Sequence, residues 1–210
     1  LWPCVLTGVS PALHGRYSFS QLVPGTYHFD AVRSNQLAAP RLYTVLGSHG
    51  IRCASIDVPS DLAQPSFPGI QVVDWGTEFG LGDFVTQPIE LKEHILERYG
   101  RHYLSDHPPT GETVMDHRKL LENLTAGVRQ KSALVREILN RRDLDFIFIV
   151  YGEPHKAGHF FWKYMDAGHP DHIPTPDLKD ALLEIYKLTD GELAALADML
   201  GEDDNLLLVS

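Results

Sequence analysis

The chain has 210 residues, of which 43% are hydrophobic and 22% charged, an ordinary composition for a soluble protein and enough for one substantial α/β core. Eighteen basic residues stand against 28 acidic ones, a formal charge of -10 with no long basic run, which argues against a nucleic-acid duplex held through its phosphates. A small phosphorylated substrate stays open, because bound metal can supply local positive charge.

Two cysteines, Cys4 and Cys53, cannot build a disulfide framework and lie in no CxxC pair, so the compartment is undetermined. The longest apolar runs, such as 146–150, are far too short to cross a bilayer, and no membrane partner is expected.

Residues 1–7 are apolar and predict the end of a helix that stops at Gly8. Residues 9–39 are rich in Gly, Pro, Ser and Tyr and predict a loop with short ordered pieces. Over 40–48, Arg41, Leu42, Val45 and Leu46 give helical spacing. Residues 51–58 (IRCASIDV) alternate and predict a strand, as do 69–74 (GIQVVD), and 75–88 reads as another glycine-rich loop.

A helix is predicted over 90–99 and a long one over 113–140. On the long one, Leu120, Leu121, Leu124, Val128, Leu134, Val135 and Leu139 form an apolar stripe. Residues 143–151 (DLDFIFIVY) are the strongest strand, and their continuous apolar character predicts a central parallel strand covered on both faces. A proline-rich loop over 167–176, a helix over 178–200 and a final strand over 206–210 complete the chain. Helices alternating with buried strands predict a single α/β domain over 1–210, with a mainly parallel central sheet flanked by helices on both faces. Both ends read as cut, since native termini usually lie in polar, loosely held segments.

The sharpest chemical signal is Glu153-Pro154-His155-Lys156-Ala157-Gly158-His159, directly after the strongest strand. Ligand sites in open parallel sheets form at the C-terminal ends of strands. Two histidines four apart can face one side of a helix and hold one metal ion. Solvated helix histidines are the alternative reading of His155 and His159. The pattern is not HExxH, because Lys156 stands where the catalytic glutamate would be. Glu153 reads either as a support for a histidine or as a solvated surface acid. A second segment, Thr7-Gly8-Val9-Ser10-Pro11-Ala12-Leu13-His14-Gly15, reads by itself as a helix stop and two turns, with His14 in a structural role.

Taken in order, these segments resemble the alkaline phosphatase superfamily, closest to its type I phosphodiesterase/nucleotide pyrophosphatase branch. TGxxPxxHG over 7–15 resembles the stretch after that family's nucleophile. Glu153-Pro154-His155-x-x-Gly158-His159 resembles its EPDxxGH metal motif, and Asp190 followed by LLLVS resembles the run into its Ser-Asp-His-Gly motif. The resemblance implies an alkaline phosphatase-like core and two divalent metal ions about 4 Å apart, zinc first and manganese second. It also implies hydrolysis of phosphodiester or nucleotide pyrophosphate bonds through a covalent Thr or Ser intermediate. Carried over, His155 takes the place of the usual Asp ligand and His159 that of the usual His. The nucleophile would lie about ten residues before Gly8, upstream of Leu1, and the Asp-His pair would follow Ser210, so the isolated chain is expected to be inactive. The substrate-binding Asn would fall near 17–19, where the sequence has none, and Trp162 stands at a usual Gly, as pocket wall or plain core. Asp74-Trp75-Gly76 resembles a structural segment of some members.

His169 and His172 lie in a loop that could border the metal site, while His28, His49, His94, His102, His107 and His117 have no evident partner. Two rivals remain: a sulfatase or phosphomonoesterase of the same superfamily, and a non-catalytic member.

Overall fold

The structure, a computed structural model, describes residues 1–18, 20–31, 37–77, 83–106, 113–141 and 143–209. The predicted strands 51–58 and 69–74 appear as β3 (Cys53–Ile56) and β4 (Gly69–Val73), and 143–151 as β6 (Phe146–Ile149). Between β4 and β6 runs β5 (Val85–Gln87), a short strand inside the segment predicted as loop. The four form one mixed sheet in the order β5-β4-β3-β6, parallel at β3–β4 and β3–β6 and antiparallel at β4–β5. The chain is thus α/β with a mainly parallel sheet. Two more short strands, β1 (Ser20–Leu22) and β2 (Phe29–Ala31), make a separate antiparallel hairpin within the segment 9–39.

By its contacts the chain divides into two compact units, Leu1–His94 with Asp143–Val150, and Ile95–Arg142 with Tyr151–Ser210. The first contains the sheet. Helices α1 (Trp2–Thr7) and α3 (Leu42–Ser48) cover one of its faces, where Leu6 and Tyr43 pack with Cys53, Val58 and Phe67. α1 stops at Gly8, whose φ of 69° is the left-handed conformation that glycine adopts without a Cβ penalty, and its N–H donates to the Cys4 carbonyl. A one-turn helix, α2 (Pro11–His14), follows. Register between β3 and β6 is fixed at their entrance, where the Arg52 backbone N–H donates to the Asp145 carboxylate and its guanidinium pairs with Asp143 at 3.0 Å.

β6 differs from expectation. Among the described strands it is the edge neighbour of β3, and its residues are half-buried. Its continuous apolar run therefore reflects burial that is partial on both faces, which sequence pattern does not separate from full burial. The expected last strand also differs: Leu206, Leu207, Leu208 and Val209 are exposed and pair with no strand among the described residues, while Ser210 lies outside them. An apolar tetrapeptide has the propensity for a strand, but a strand also needs a partner edge.

The second unit is helical. α6 (Val114–Leu139) opens on a capping box in which Thr113 accepts from the Asp116 N–H and donates its own N–H to the Asp116 carboxylate. The Thr113 hydroxyl, which donates to the same carboxylate, and then the Thr113 backbone N–H hold Asp116 below the usual carboxylate range. α7 (Glu153–Met165) begins just beyond β6 in the chain, and α8 (Ala181–Ala197) follows the proline-rich loop. Leu120 and Leu124 of α6, Ala157, Phe161 and Tyr164 of α7, and Ala181, Leu182 and Ile185 of α8 form one buried cluster. Burying each large member contributes about 1.5–3 kcal/mol, so packing of the three stripes rather than helix propensity holds this unit. Two short helices complete the described elements, α4 (Leu91–Arg98) where the units meet in sequence and α5 (Tyr103–Asp106) before α6.

Candidate functional site

α7 carries two chemically distinct faces. At 100° per residue, Glu153, Ala157, Phe161 and Tyr164 share one side, and all four are buried. His155 and His159 lie on the other and are exposed. Their Nε2 atoms approach to 3.1 Å with the rings nearly perpendicular. Two imidazole nitrogens on one tetrahedral zinc, at the usual bond length near 2.05 Å, would stand about 3.3 Å apart. The pair therefore fits two of the ligands of one divalent ion. No group of three or more His, Cys, Asp or Glu side chains suited to a metal ion occurs among the described residues. His155 and His159 are thus a pair without a third such side chain beside them among the described residues.

Glu153 is not the solvated acid that was one of its two readings. It is the first residue of α7 and is fully buried. It does meet a histidine, but that histidine is His102, whose Nε2 lies 3.0 Å from Oε1, with the Lys131 ammonium 3.5 Å from the same oxygen. Both partners are themselves fully buried. His102 Nδ1 accepts the Leu104 backbone N–H, so the neutral ring carries its proton on Nε2, toward Glu153. The approach is oblique, and neither Glu153 oxygen has a well-aligned hydrogen bond. Burial opposes the charge on Glu153, but Lys131 and then His102 outweigh it and hold the carboxyl below its ordinary range. Lys131 also stands over the Tyr151 ring at 5.7 Å, and Tyr151 shares a hydrogen bond with Ser132. Burial is the main cause that raises the Tyr151 phenol above its ordinary value.

The other expected histidines are structural or solvated. His14 is buried; it accepts the Arg16 N–H on Nδ1 and meets Cys4 Sγ through Nε2 at 3.3 Å, a structural role as expected. His117 is buried between aromatic rings and bonded to the Tyr164 hydroxyl, and burial, with help from the Lys163 charge, holds it below its usual value. His169 accepts the Asp171 N–H, and His172 donates from Nδ1 to the Lys163 carbonyl. Trp162 is 49% exposed and donates to Asp166, so it is not plain core. At 17–19, Tyr17 is exposed and bonds Gln21 through its backbone; Phe19 and His107 lie outside the described residues.

The C-terminal ends of β3 and β4 each end on an aspartate with positive φ, Asp57 at 53° and Asp74 at 58°. Asp57 is buried and accepts from the backbone N–H groups of Trp75 and Gly76 and from the Thr77 hydroxyl. It stitches the two strand ends together, which gives the Asp74-Trp75-Gly76 segment the structural role expected of it. No family model matches the chain, and no curated protein and no solved structure matches it either.

Proposed function

We propose that this chain is part of a metal-dependent hydrolase of phosphate esters, of the phosphodiesterase/nucleotide pyrophosphatase branch of the alkaline phosphatase superfamily. On this reading the mainly parallel sheet is the core of that fold, with helices on both of its faces. The observation that carries the reading is the convergence of His155 and His159, 3.1 Å apart and open to solvent, on the helix that follows the strongest strand. The family's motif order over the chain supports it. When bound, divalent ions such as zinc or manganese would polarise the phosphoryl group and favour the ionised nucleophile.

Within the chain itself, His155 and His159 bind the ion, and α7 orients them. A neutral histidine in place of the usual aspartate leaves the site one charge more positive, which favours a small, anionic phosphorylated substrate. The nucleophile and the remaining ligands belong, by the resemblance, to sequence before Leu1 and after Ser210. The test is zinc-dependent cleavage of bis-p-nitrophenyl phosphate by a protein that includes both flanks. Wild type should cleave it, and His155→Ala and His159→Ala should each lose at least tenfold. A protein that binds no metal and cleaves no phosphate ester overturns the proposal; cleavage of a sulfate ester alone moves it to the sulfatases.

A further inference from the structure

The chain has two cysteines, and the first unit places them in opposite surroundings. Cys53, on β3, is fully buried in the cluster with Leu6, Tyr43, Val58 and Phe67, and burial pushes its thiol up to about 11. A thiol so placed is an inert core group. Cys4, on α1, is partly exposed, and its sulfur lies 3.3 Å from Nε2 of His14 on α2.

His14 is fully buried, and its two nitrogens do different work. Nδ1 accepts the Arg16 backbone N–H at 3.1 Å and so closes the turn after α2. The neutral ring therefore carries its proton on Nε2, and that N–H points at the Cys4 sulfur, its one hydrogen-bond partner among the described residues. A buried N–H needs a good acceptor. A neutral thiol is a weak one, whereas a thiolate, or an oxygen carried on the sulfur, is strong. Nor can this tautomer take the thiol's proton, because Nε2 already holds one. The pair is not a nucleophile with its general base but a sulfur with a donor aimed at it.

We infer that Cys4 is a modification site, a reactive thiol that a hydroperoxide oxidises to sulfenic acid, with His14 as the positioning residue whose N–H supports the reacting sulfur. The reactive form of a cysteine is the anion, and Nε2–H is a partner for that anion and not for an S–H proton. In the step, the Cys4 thiolate attacks a peroxide oxygen, and an S–O bond forms as the O–O bond breaks. Sulfur gives up two electrons, and the leaving alkoxide or hydroxide takes up the proton that the thiol released to solvent. The oxygen now on sulfur is a better acceptor for Nε2–H than the thiol it replaces. Partial exposure admits a small hydroperoxide to Cys4, while burial withholds it from Cys53. The inference is independent of the metal reading, since neither Cys4 nor His14 belongs to α7.

The test is oxidation of the full chain by hydrogen peroxide, with sulfenic acid trapped by dimedone and located by peptide mass spectrometry. In the folded chain Cys4 should be labelled roughly tenfold faster than Cys53, or more. Cys4 should also react about tenfold faster in the folded chain than in the same chain unfolded in urea, the order expected of one hydrogen bond to a charged group. Exposure alone cannot produce that ratio, because unfolding only increases access. His14→Phe keeps a buried ring and removes the N–H, so it should bring the folded rate of Cys4 down to the unfolded one. His14→Gln keeps an N–H donor and should recover part of the difference. A folded rate at or below the unfolded rate overturns the inference, and so does a folded His14→Phe variant oxidised as fast as wild type. If His14→Phe does not fold, the comparison of folded with unfolded wild type decides alone.

Discussion

Lys131→Met removes one charge from the interior and almost no volume. The Lys131 ammonium lies 3.5 Å from Glu153 Oε1, and both side chains are fully buried. At an effective dielectric near 20, two unit charges at that separation attract by about 5 kcal/mol. Removing one member of a buried pair costs roughly 3–5 kcal/mol, because the other charge is left without compensation. Native stability is about 5–15 kcal/mol, so the variant should be close to unfolding, with a melting temperature about 6–20 °C lower. His102 cannot take over, since its Nδ1 accepts the Leu104 N–H and only Nε2, 3.0 Å from Oε1, faces the carboxylate. Glu153→Gln should cost a similar amount by removing the carboxylate that faces the Lys131 ammonium at 3.5 Å. The double variant should recover most of the loss. Urea denaturation followed by circular dichroism measures all four corners of this cycle, and a coupling of at least 2 kcal/mol is expected. Single losses below about 1 kcal/mol that simply add would show that the pair carries little charge interaction, and the reasoning would fail.

Asp57→Ala should cost about 3 kcal/mol or more, because it strands two buried N–H donors and places alanine at a φ of 53°, whereas Asn keeps an acceptor and tolerates that conformation and should lose less than half as much in the same urea assay. Gly69→Ala should cost about 3 kcal/mol or more and lower the soluble yield: at a φ of 145° its Cβ would sit 2.1 Å from the Cys53 carbonyl oxygen, across the β3–β4 pairing. His117 is held below its usual value by burial and then by the Lys163 charge, so its contribution is intact above the ordinary histidine value near 6.5 and is lost as pH falls through that value toward the folded one. Urea midpoints between about pH 7.5 and 5 should therefore decline less steeply for His117→Gln than for wild type.

The sequence was most legible where one physical signal dominated. The stripe from Leu120 to Leu139 located α6 to within a residue at each end, and the alternation in CASI and GIQVV located β3 and β4. β5 was not legible, because three residues, VTQ, pairing antiparallel carry too little pattern to rise above the glycine-rich segment around them. The exposed LLLV run misled for the opposite reason: its pattern is that of a strand, but pairing is not a property of one segment. The His155–His159 pair was visible as a spacing, and the buried contacts of Glu153 were not. Yet signs of them were present. Lys131 falls on the apolar stripe, three residues after Val128 and three before Leu134, and Gly127 interrupts the middle of a long helix. A cation on a buried stripe demands an anion, but only the fold names Glu153, 22 residues away.

Two unusual features of the chain invite a chemical reading, and physical accounting separates them. Asp57 is a buried carboxylate at a strand end with positive φ, but its hydrogen bonds to Trp75, Gly76 and Thr77 explain both its burial and its backbone, and leave nothing for chemistry to explain. The histidine pair has the reverse character. A hydrogen bond between two solvent-exposed rings adds little to what water offers each of them, and neither ring covers the core. The i,i+4 spacing on α7 is what brings the two rings side by side at 3.1 Å, and burial gives no reason for histidines to be there. On the function proposed above, the use of that placement is a shared divalent cation, which two imidazole nitrogens at that separation suit.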